Sequence, residues 1–168
     1  MAFIDEIKER ARAEKKRIIL PEGMDRRVWE AAVTVIKENV ADVTVIATEE
    51  EVKEFSEGLD IEGIHIINPL TYPDLDRFIN DLVELRRMKG MTPGEARELL
   101  TSDYIYFACM MLRENQADGI VSGACHSTAN TLRPALQLVK AKPGSRLVSA
   151  FFIMVCLLYT SPSPRDCS

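Results

Sequence analysis

Residues 117–138, ADGIVSGACHSTANTLRPALQL, constrain the fold of this chain more than any other stretch. They begin with a short apolar strand at residues 119–121, which ends at Ser122-Gly123 and is followed by small residues. A polar group and an amphipathic helix come next. A strand, a glycine-rich turn and a helix in this order are typical of α/β folds, in which parallel strands alternate with helices.

The same stretch predicts an anion-binding site. A strand that ends in glycine lets backbone N–H groups approach a ligand closely, and Ser127 or Thr128 can cap the next helix. The free N–H groups of that helix and the guanidinium of Arg133 would suit a phosphate. Pro134 either kinks this helix or marks its start at residues 133–134. The alternative is that Ser127 and Thr128 serve only as caps and that Arg133 is a surface arginine.

Hydrophobic periodicity along the chain predicts a three-layer αβα domain, with helices on both faces of a mostly parallel sheet. The predicted strands cover residues 17–20, 42–47, 64–67, 119–121 and 147–155. The predicted helices cover residues 3–13, 26–38, 49–57, 74–88, 93–100 and 104–114. The first helix has Phe3, Ile4, Ile7 and Ala11 on one face, and His65 is interpreted as a packing residue of the third strand.

Composition and charge exclude several classes of protein. A net charge of −5 argues against a nucleic-acid-binding surface, although a local arginine cluster can still bind an anion. The first 16 residues lack the apolar core of a secretion signal, which predicts a cytoplasmic protein. Residues 147–159 are too short to span a membrane, and the four cysteines have no spacing typical of metal sites or disulfides.

Three motifs together resemble those of the phosphate acetyltransferase family and of its relatives, the phosphate butyryltransferases. They are residues 118–137, with DGIVSGA, HSTA and LRPALQ; residues 21–32, which begin PEG; and residues 84–92, with ELR and KGMT. The resemblance covers residues 1–155 in order. It implies reversible transfer of an acetyl group between acetyl phosphate and coenzyme A, with coenzyme A as a substrate and no cofactor. It also implies small-molecule partners and a possible homodimer of the full-length protein, without nucleic acid or membrane.

Members of this family are longer than this chain and have two domains that flank a cleft. The resemblance therefore implies that residues 1–146 form the first domain and that residues 147–155 enter the second. Residues 156–166, CLLYTSPSPRD, can be back-translated into the adaptor of transposase-based DNA library preparation. We therefore interpret residues 156–168 as a non-native tail on a truncated, inactive fragment. A natural disordered tail would instead favour a non-catalytic anion- or nucleotide-binding module.

The resemblance also implies substrate-binding residues. Arg86, with Arg87 as the neighbour that could replace it, and Arg133 resemble arginines that contact the phosphates of coenzyme A. Ser127 and Thr128 would donate hydrogen bonds to phosphate or to coenzyme A. From the sequence alone, Arg86 and Arg87 are more simply explained as solvated basic residues at a helix C-terminus. The family's catalytic base follows a Gly-Ser-Ala segment that is absent here, so we predict no catalytic residue and no metal site.

The other polar residues of the motifs are interpreted as structural. Asp25 is predicted to cap a helix, and Arg27 to pair with a nearby carboxylate. No partner carboxylate for His126 is evident in the sequence, so His126 is predicted to be a structural donor rather than a base. Cys125 is not expected to be a nucleophile, because no oriented His–Asp pair accompanies it.

Overall fold

The computed structural model describes residues 3–139, which form an α/β fold around an all-parallel sheet. The strands are β1 (Arg17–Leu20), β2 (Asp42–Ile46), β3 (His65–Ile67) and β4 (Gly119–Ile120). The helices are α1 (Phe3–Ala13), α2 (Arg26–Glu38), α3 (Glu49–Phe55), α4 (Leu75–Leu85), α5 (Pro93–Ser102), α6 (Tyr104–Arg113) and α7 (Thr128–Pro134). A 3₁₀ turn (Arg87–Lys89) follows α4, and a π-helical turn (Ala135–Val139) follows α7.

The strand order is β3-β2-β1-β4, so the direction in which successive strands are added reverses between β1 and β4. In β1, Ile18 pairs with Gly119 of β4 and Ile19 pairs with Ile120. In open parallel sheets, ligands bind beyond the carboxyl ends of the strands at such a reversal. The fold therefore brings the segment after β1 and the segment after β4 to the place where a site is expected.

Two apolar clusters cover the two faces of the sheet, which confirms the predicted three layers. Val43 and Val45 of β2 pack with Trp29 and Ala32 of α2 on one face, because alternate side chains of a strand point the same way. On the other face, Ile46 belongs to the cluster that includes α4, α5 and α6. Helix α6 lies deepest, and its residues 104–111 are all buried.

Capping hydrogen bonds fix the predicted starts of four helices. Asp25 caps α2, Thr48 and Thr92 form capping boxes at α3 and α5, and Asp103 caps α6. Gly90 ends the 3₁₀ turn in the left-handed conformation, with φ of 71°. These contacts join residues two or three positions apart, so the sequence alone is sufficient to predict them.

The structure corrects the interpretation of His65, leaves the apolar face of α1 uncovered and does not describe the last predicted strand. Helix α1 has no buried residue, and Phe3 on its apolar face is 51% exposed. Lys8 and Arg12 attach this helix to Glu38 at the end of α2. His65 is exposed, so its interpretation as a packing residue was wrong. The strand predicted at residues 147–155 lies outside the described residues.

Pro134 lies at the end of α7 rather than at the start of a helix. Because proline has no N–H, it cannot donate to the carbonyl of Asn130. The backbone changes from α to π geometry directly after it, at Ala135. The prediction of an altered helix at Pro134 is confirmed, and a start at residues 133–134 is wrong. Within residues 3–139, every helix is too short or too polar to traverse a lipid bilayer.

Candidate functional site

The carboxyl ends of β1 and β4 meet at the side chain of Glu22, which is 1% exposed. Its Oε2 accepts hydrogen bonds from the N–H groups of Gly123 at 2.8 Å and Ala124 at 2.9 Å. Its Oε1 accepts from the N–H groups of Cys125 at 3.0 Å and His126 at 3.1 Å, and lies 2.7 Å from His126 Nδ1. We call these five residues the Glu22 cluster. Four consecutive N–H groups thus converge on one carboxylate.

The pKa of Glu22 shows that these hydrogen-bond donors favour the charged form of its carboxyl group. Burial by itself would raise the pKa. The hydrogen bonds from Cys125, His126, Ala124 and Gly123 more than offset that effect and lower it to about 2. Glu22 is therefore ionised and accepts hydrogen bonds only. His126 Nδ1 must then carry a hydrogen and donate a hydrogen bond to Glu22.

The backbone N–H groups of the predicted anion-binding site do converge on an anion, but that anion is the carboxylate of Glu22. The N–H groups expected to meet a ligand are bonded to Glu22 instead. No carboxylate partner for His126 was evident in the sequence, because that partner, Glu22, lies 104 residues earlier in the chain. The contact fits the predicted role of His126 as a structural donor. The PEG motif could have indicated this contact. An acidic residue directly after one parallel strand can meet a glycine-rich turn directly after the neighbouring strand of the sheet.

The backbone on either side of Glu22 is fixed to the sheet. Gly23 N–H donates to the carbonyl of Ile46 at 3.2 Å, and Trp29 Nε1 donates to the carbonyl of Gly23 at 2.8 Å. A Cβ at position 23 would lie 2.4 Å from that Ile46 oxygen, so only glycine permits this approach. Arg27 pairs with Asp25, as predicted, and also donates to the carbonyl of Ala124 at 2.8 Å.

Cys125 is a hydrogen-bond donor in this cluster. Its Sγ lies 3.4 Å from Glu22 Oε1. Burial and the hydrogen bond and charge of Glu22 raise the thiol pKa to about 11, so the sulfur stays protonated near neutral pH. The raised pKa argues against a nucleophilic thiol, although His126 Nδ1 lies 3.5 Å from the sulfur, and the absence of a nucleophilic role stays a prediction.

Three side chains of this cluster are of the types that bind metal ions. Ligand atoms of Glu22, Cys125 and His126 lie within 4.8 Å of one another. Both carboxylate oxygens already accept two backbone N–H groups each, and the thiol and imidazole protons are directed at Oε1. The cluster is therefore satisfied by hydrogen bonds, and its donor set does not call for a metal.

A pocket of about 230 Å³ lies beside the Glu22 cluster, between the ends of β1 and β4 and helix α2. Arg27 lies at this pocket, and its walls are mainly apolar: Leu20, Val28, Ala31 and Val121. Ser122 Oγ is buried there and has no hydrogen-bond partner within the described part of the chain.

Arg86 forms the second polar centre of the molecule. It is half-buried directly after α4, where one of its Nη groups donates to Gln137 Oε1. The hydroxyl of Tyr106 donates to the same oxygen at 2.8 Å. Arg86 Nε is buried without a partner among residues 3–139. Arg86 lines a pocket of about 420 Å³ together with Lys89, Gly90, Met91, Glu95, Glu98, Leu99 and Ser102.

Arg133 lies near the end of α7, shortly before the π-helical turn that contains Gln137, the side chain that Arg86 contacts. Burial raises the pKa of Tyr106, and the positive charges of Arg86 and, more weakly, Arg133 lower it. Arg87 is exposed and pairs with Glu84 at 3.8 Å.

The two predicted hydroxyl donors stand at the start of α7. Ser127 Oγ accepts a hydrogen bond from Asn130 N–H at 3.3 Å, which makes Ser127 the cap that the sequence suggested. Thr128 is the first residue of the helix, and both residues are exposed. Their hydroxyl protons are available to a ligand, because a cap uses only the oxygen as an acceptor.

Comparison with known proteins identifies relatives of this chain. The profile of the phosphate acetyl/butaryl transferase family matches residues 2–163. The phosphate acetyltransferase of Thermoanaerobacterium thermosaccharolyticum is 47% identical over 154 residues, and that of Acetivibrio thermocellus is 46% identical over 155 residues. Each match covers 92% of this chain, and they cover 47% and 46% of those relatives.

Solved structures show the same relationship. A phosphotransacetylase from Streptococcus pyogenes superposes with a TM-score of 0.77 at 37% identity, over 86% of this chain and 45% of that one. The EutD phosphotransacetylase from Staphylococcus aureus gives a TM-score of 0.75 at 38% identity, over 84% and 43%. The chain thus spans about half the length of the proteins it matches. The family match extends into residues 156–168, so the predicted domain boundaries stay a prediction.

Proposed function

The chain belongs to the phosphate acetyl/butaryl transferase family, and we propose that it contains the coenzyme A side of an enzyme that transfers an acetyl group between acetyl phosphate and coenzyme A. The acetyl group is preferred over butyryl because the relatives reported above are named phosphate acetyltransferases. Acetyl phosphate, coenzyme A and phosphate are the small-molecule partners in this proposal, and no separate cofactor is needed.

The observation that carries the proposal is the environment of Arg86. A buried donor that lacks a hydrogen bond costs about 1–3 kcal/mol, and such groups are rare unless a ligand or water completes them. Arg86 Nε is such a donor, and the residue lines the 420 Å³ pocket. Gln137, itself bonded to Tyr106, accepts from the guanidinium and holds it in place, so little ordering would be needed when an anion binds.

Coenzyme A offers the anion that this arrangement suits. Its 3′-phosphate is a dianion, which two guanidinium groups can bind through charge-assisted hydrogen bonds. Arg86 and Arg133 are the candidates, because Arg86 contacts Gln137 in the π-helical turn that directly follows α7, the helix that carries Arg133. Ser127 and Thr128 would donate to the pyrophosphate or to acetyl phosphate from the start of α7. Arg87 is the weaker candidate, since it pairs with Glu84.

The reaction needs a base that we do not find in residues 3–139. The thiol sulfur forms a bond to the acetyl carbon, the bond from that carbon to the phosphate oxygen breaks, and phosphate leaves with the electron pair. The thiol proton passes to a base. Glu22 is committed to its cluster, and the sequence has no Gly-Ser-Ala segment. We therefore propose that this chain binds coenzyme A without forming acetyl-coenzyme A from acetyl phosphate; formation of that product by the purified chain would contradict this.

Calorimetric titration of the purified chain with coenzyme A and with 3′-dephospho-coenzyme A tests the proposal. We expect Arg133→Ala to weaken coenzyme A binding about tenfold, because one charge-assisted contact is worth at least 1.4 kcal/mol. Binding of 3′-dephospho-coenzyme A should change little. Arg26→Ala, which removes an exposed arginine paired with Glu30 on α2, is the matched control and should leave both dissociation constants unchanged.

Two results would contradict the assignment. An equal loss for both ligands in Arg133→Ala would place Arg133 away from the 3′-phosphate. Absence of coenzyme A binding by the unaltered chain would favour a module for some other anion or nucleotide. A cytoplasmic location and a homodimer of the full-length protein stay predictions from the sequence.

A further inference from the structure

We propose that Glu22 is a positioning residue for the coenzyme A site: its buried carboxylate places the start of α7 and so aims the hydroxyls of Ser127 and Thr128. The inference rests on the proposed function, in which those two hydroxyls are ligand donors. Glu22 itself touches neither substrate in this proposal. It acts through the turn that precedes the helix.

The first step is that the Glu22 backbone cannot shift easily. The carbonyl of Glu22 accepts from Asp25 N–H at 3.0 Å, and Gly23 is bonded both to Ile46 and to the buried Trp29. The carboxylate therefore projects from a fixed point at the carboxyl end of β1. A fixed carboxylate defines where its bonded N–H groups must lie.

The second step is that only an ionised carboxylate matches this turn. Each oxygen of Glu22 accepts two backbone N–H groups, and Oε1 also accepts from His126 Nδ1. A glutamine would replace one of these oxygens with an NH₂ group, which donates and cannot accept. At least two N–H groups would then face another donor, and the turn would have to move.

The third step is that few other contacts hold the turn. Gly123, Ala124 and Cys125 are exposed, and Gly123 has φ of 114°, which other residues rarely adopt. Within the described residues 3–139, the hydrogen bond from Arg27 to the carbonyl of Ala124 also holds the turn. The position of the turn therefore depends mainly on Glu22.

The fourth step separates the two ends of α7. Its C-terminal end is anchored by burial of Pro134 and, in the π-helical turn, of Leu138. Arg133 adjoins that anchor, whereas Ser127 and Thr128 directly follow the Glu22 cluster. Loss of the Glu22 carboxylate should therefore displace Ser127 and Thr128 and leave Arg133 in place.

A double-mutant cycle on coenzyme A binding tests this separation. Glu22→Gln should weaken binding about tenfold, and Thr128→Val, which removes only the hydroxyl, about fivefold. The double variant should be no weaker than Glu22→Gln alone, because the displaced hydroxyl no longer contributes. Glu22→Gln and Arg133→Ala should instead have multiplicative effects. Glu30→Gln, on the exposed side of α2, is the matched control and should bind as the unaltered chain does.

A purely structural role for Glu22 would give a different pattern. It would lower the melting temperature but leave the dissociation constant of the folded protein unchanged, or leave the Glu22→Gln and Thr128→Val effects multiplicative. Either result overturns the inference while the proposed function stands. If Glu22→Gln does not fold, Glu22→Asp replaces it, because it keeps both oxygens but shortens the side chain.

Amide hydrogen exchange separates failure of the inference from failure of the proposed function. In Glu22→Gln, the amides of residues 123–128 should exchange at least tenfold faster, and those of residues 135–139 should be unchanged. If coenzyme A does not bind the unaltered chain, this pattern still supports positioning of the turn, and the proposed function alone fails. Unchanged exchange at residues 123–128 overturns the inference.

Discussion

At the scale of single residues, the ionised carboxylate of Glu22 joins segments that are more than 100 residues apart in the chain. A buried charge is expensive to form, and here four N–H groups and one imidazole offset that cost. The result is a rigid internal anion at the place where an open parallel sheet would otherwise receive a ligand.

This carboxylate should make the stability of the protein depend on pH. Its pKa is about 2 in the folded state and 4.5 ordinarily, so the folded state binds fewer protons. The stabilisation is fully present above pH 4.5 and is lost as the pH falls towards 2. From pH 7 to pH 3, Glu22 should account for a loss of about 2 kcal/mol.

Urea unfolding at pH 7 and pH 3 measures that loss. Trp29 is the single tryptophan and is fully buried, so its fluorescence reports unfolding. Glu22→Gln should lose about 2 kcal/mol less than the unaltered chain between the two pH values, because its amide does not titrate. Glu30→Gln should lose as much as the unaltered chain. An equal loss in Glu22→Gln would show that Glu22 is not the titrating group.

Residue roles set by near neighbours could be predicted from the sequence, and roles set by distant ones could not. The cap at Asp25 and its pairing with Arg27 were assigned correctly because these contacts lie within one turn, whereas the contact of Arg27 with Ala124 was not foreseen. The link from Glu22 to His126 was missed because it depends on β4 lying beside β1. Whether Arg86, Arg133, Ser127 and Thr128 bind substrate stays a prediction from the family resemblance.

At the scale of elements, the segment between β1 and α2 approaches β2 more closely than any side chain allows. A Cβ at Gly23 would lie 2.4 Å from the oxygen of Ile46 and 2.6 Å from Cβ of Ala47. Neither atom can rotate away, since one belongs to the backbone and the other to the shortest side chain. We expect Gly23→Ala to destabilise the fold by about 2–3 kcal/mol.

A second glycine provides the control for that prediction. Gly94 lies in the first turn of α5, and a Cβ there would meet nothing within 4 Å. Gly94→Ala should stabilise the fold by about 0.5–1 kcal/mol, because alanine has less freedom to lose on folding. Urea midpoints of both variants measure the difference. If Gly23→Ala unfolds at the same urea concentration as the unaltered chain, the close approach is not a constraint.

The helices and strands could be predicted from local sequence patterns. Their bounds were predicted wrongly where a tertiary contact determines where the element ends. Helices α1 and α2 and strand β1 have the predicted bounds. Helix α4 ends at Leu85 rather than at residue 88. Directly after Leu85, Arg86 contacts Gln137 and a 3₁₀ turn begins. That contact reaches across 51 residues, so periodicity within α4 could not predict it.

At the scale of the whole molecule, the alternation of strands and helices was enough to predict parallel strands and three layers. The order β3-β2-β1-β4 was not predicted, although it decides which segments meet. Helix α1 was expected to have one apolar face, and the structure leaves three of its large side chains exposed: Phe3, Ile4 and Ile7. Periodicity identifies such a face but does not identify what covers it.

Titration of the ¹⁵N-labelled chain with coenzyme A, followed by amide chemical shifts, would locate the binding site directly. We expect the largest changes around Arg86, in residues 127–133 and at Gln137, and small changes in α1 and α3. The same titration with 3′-dephospho-coenzyme A should lose the changes near Arg86 and Arg133 first. Changes confined to α1 or α3, or no change at saturating coenzyme A, would contradict the claim that the Arg86 and Arg133 side of this fold binds coenzyme A.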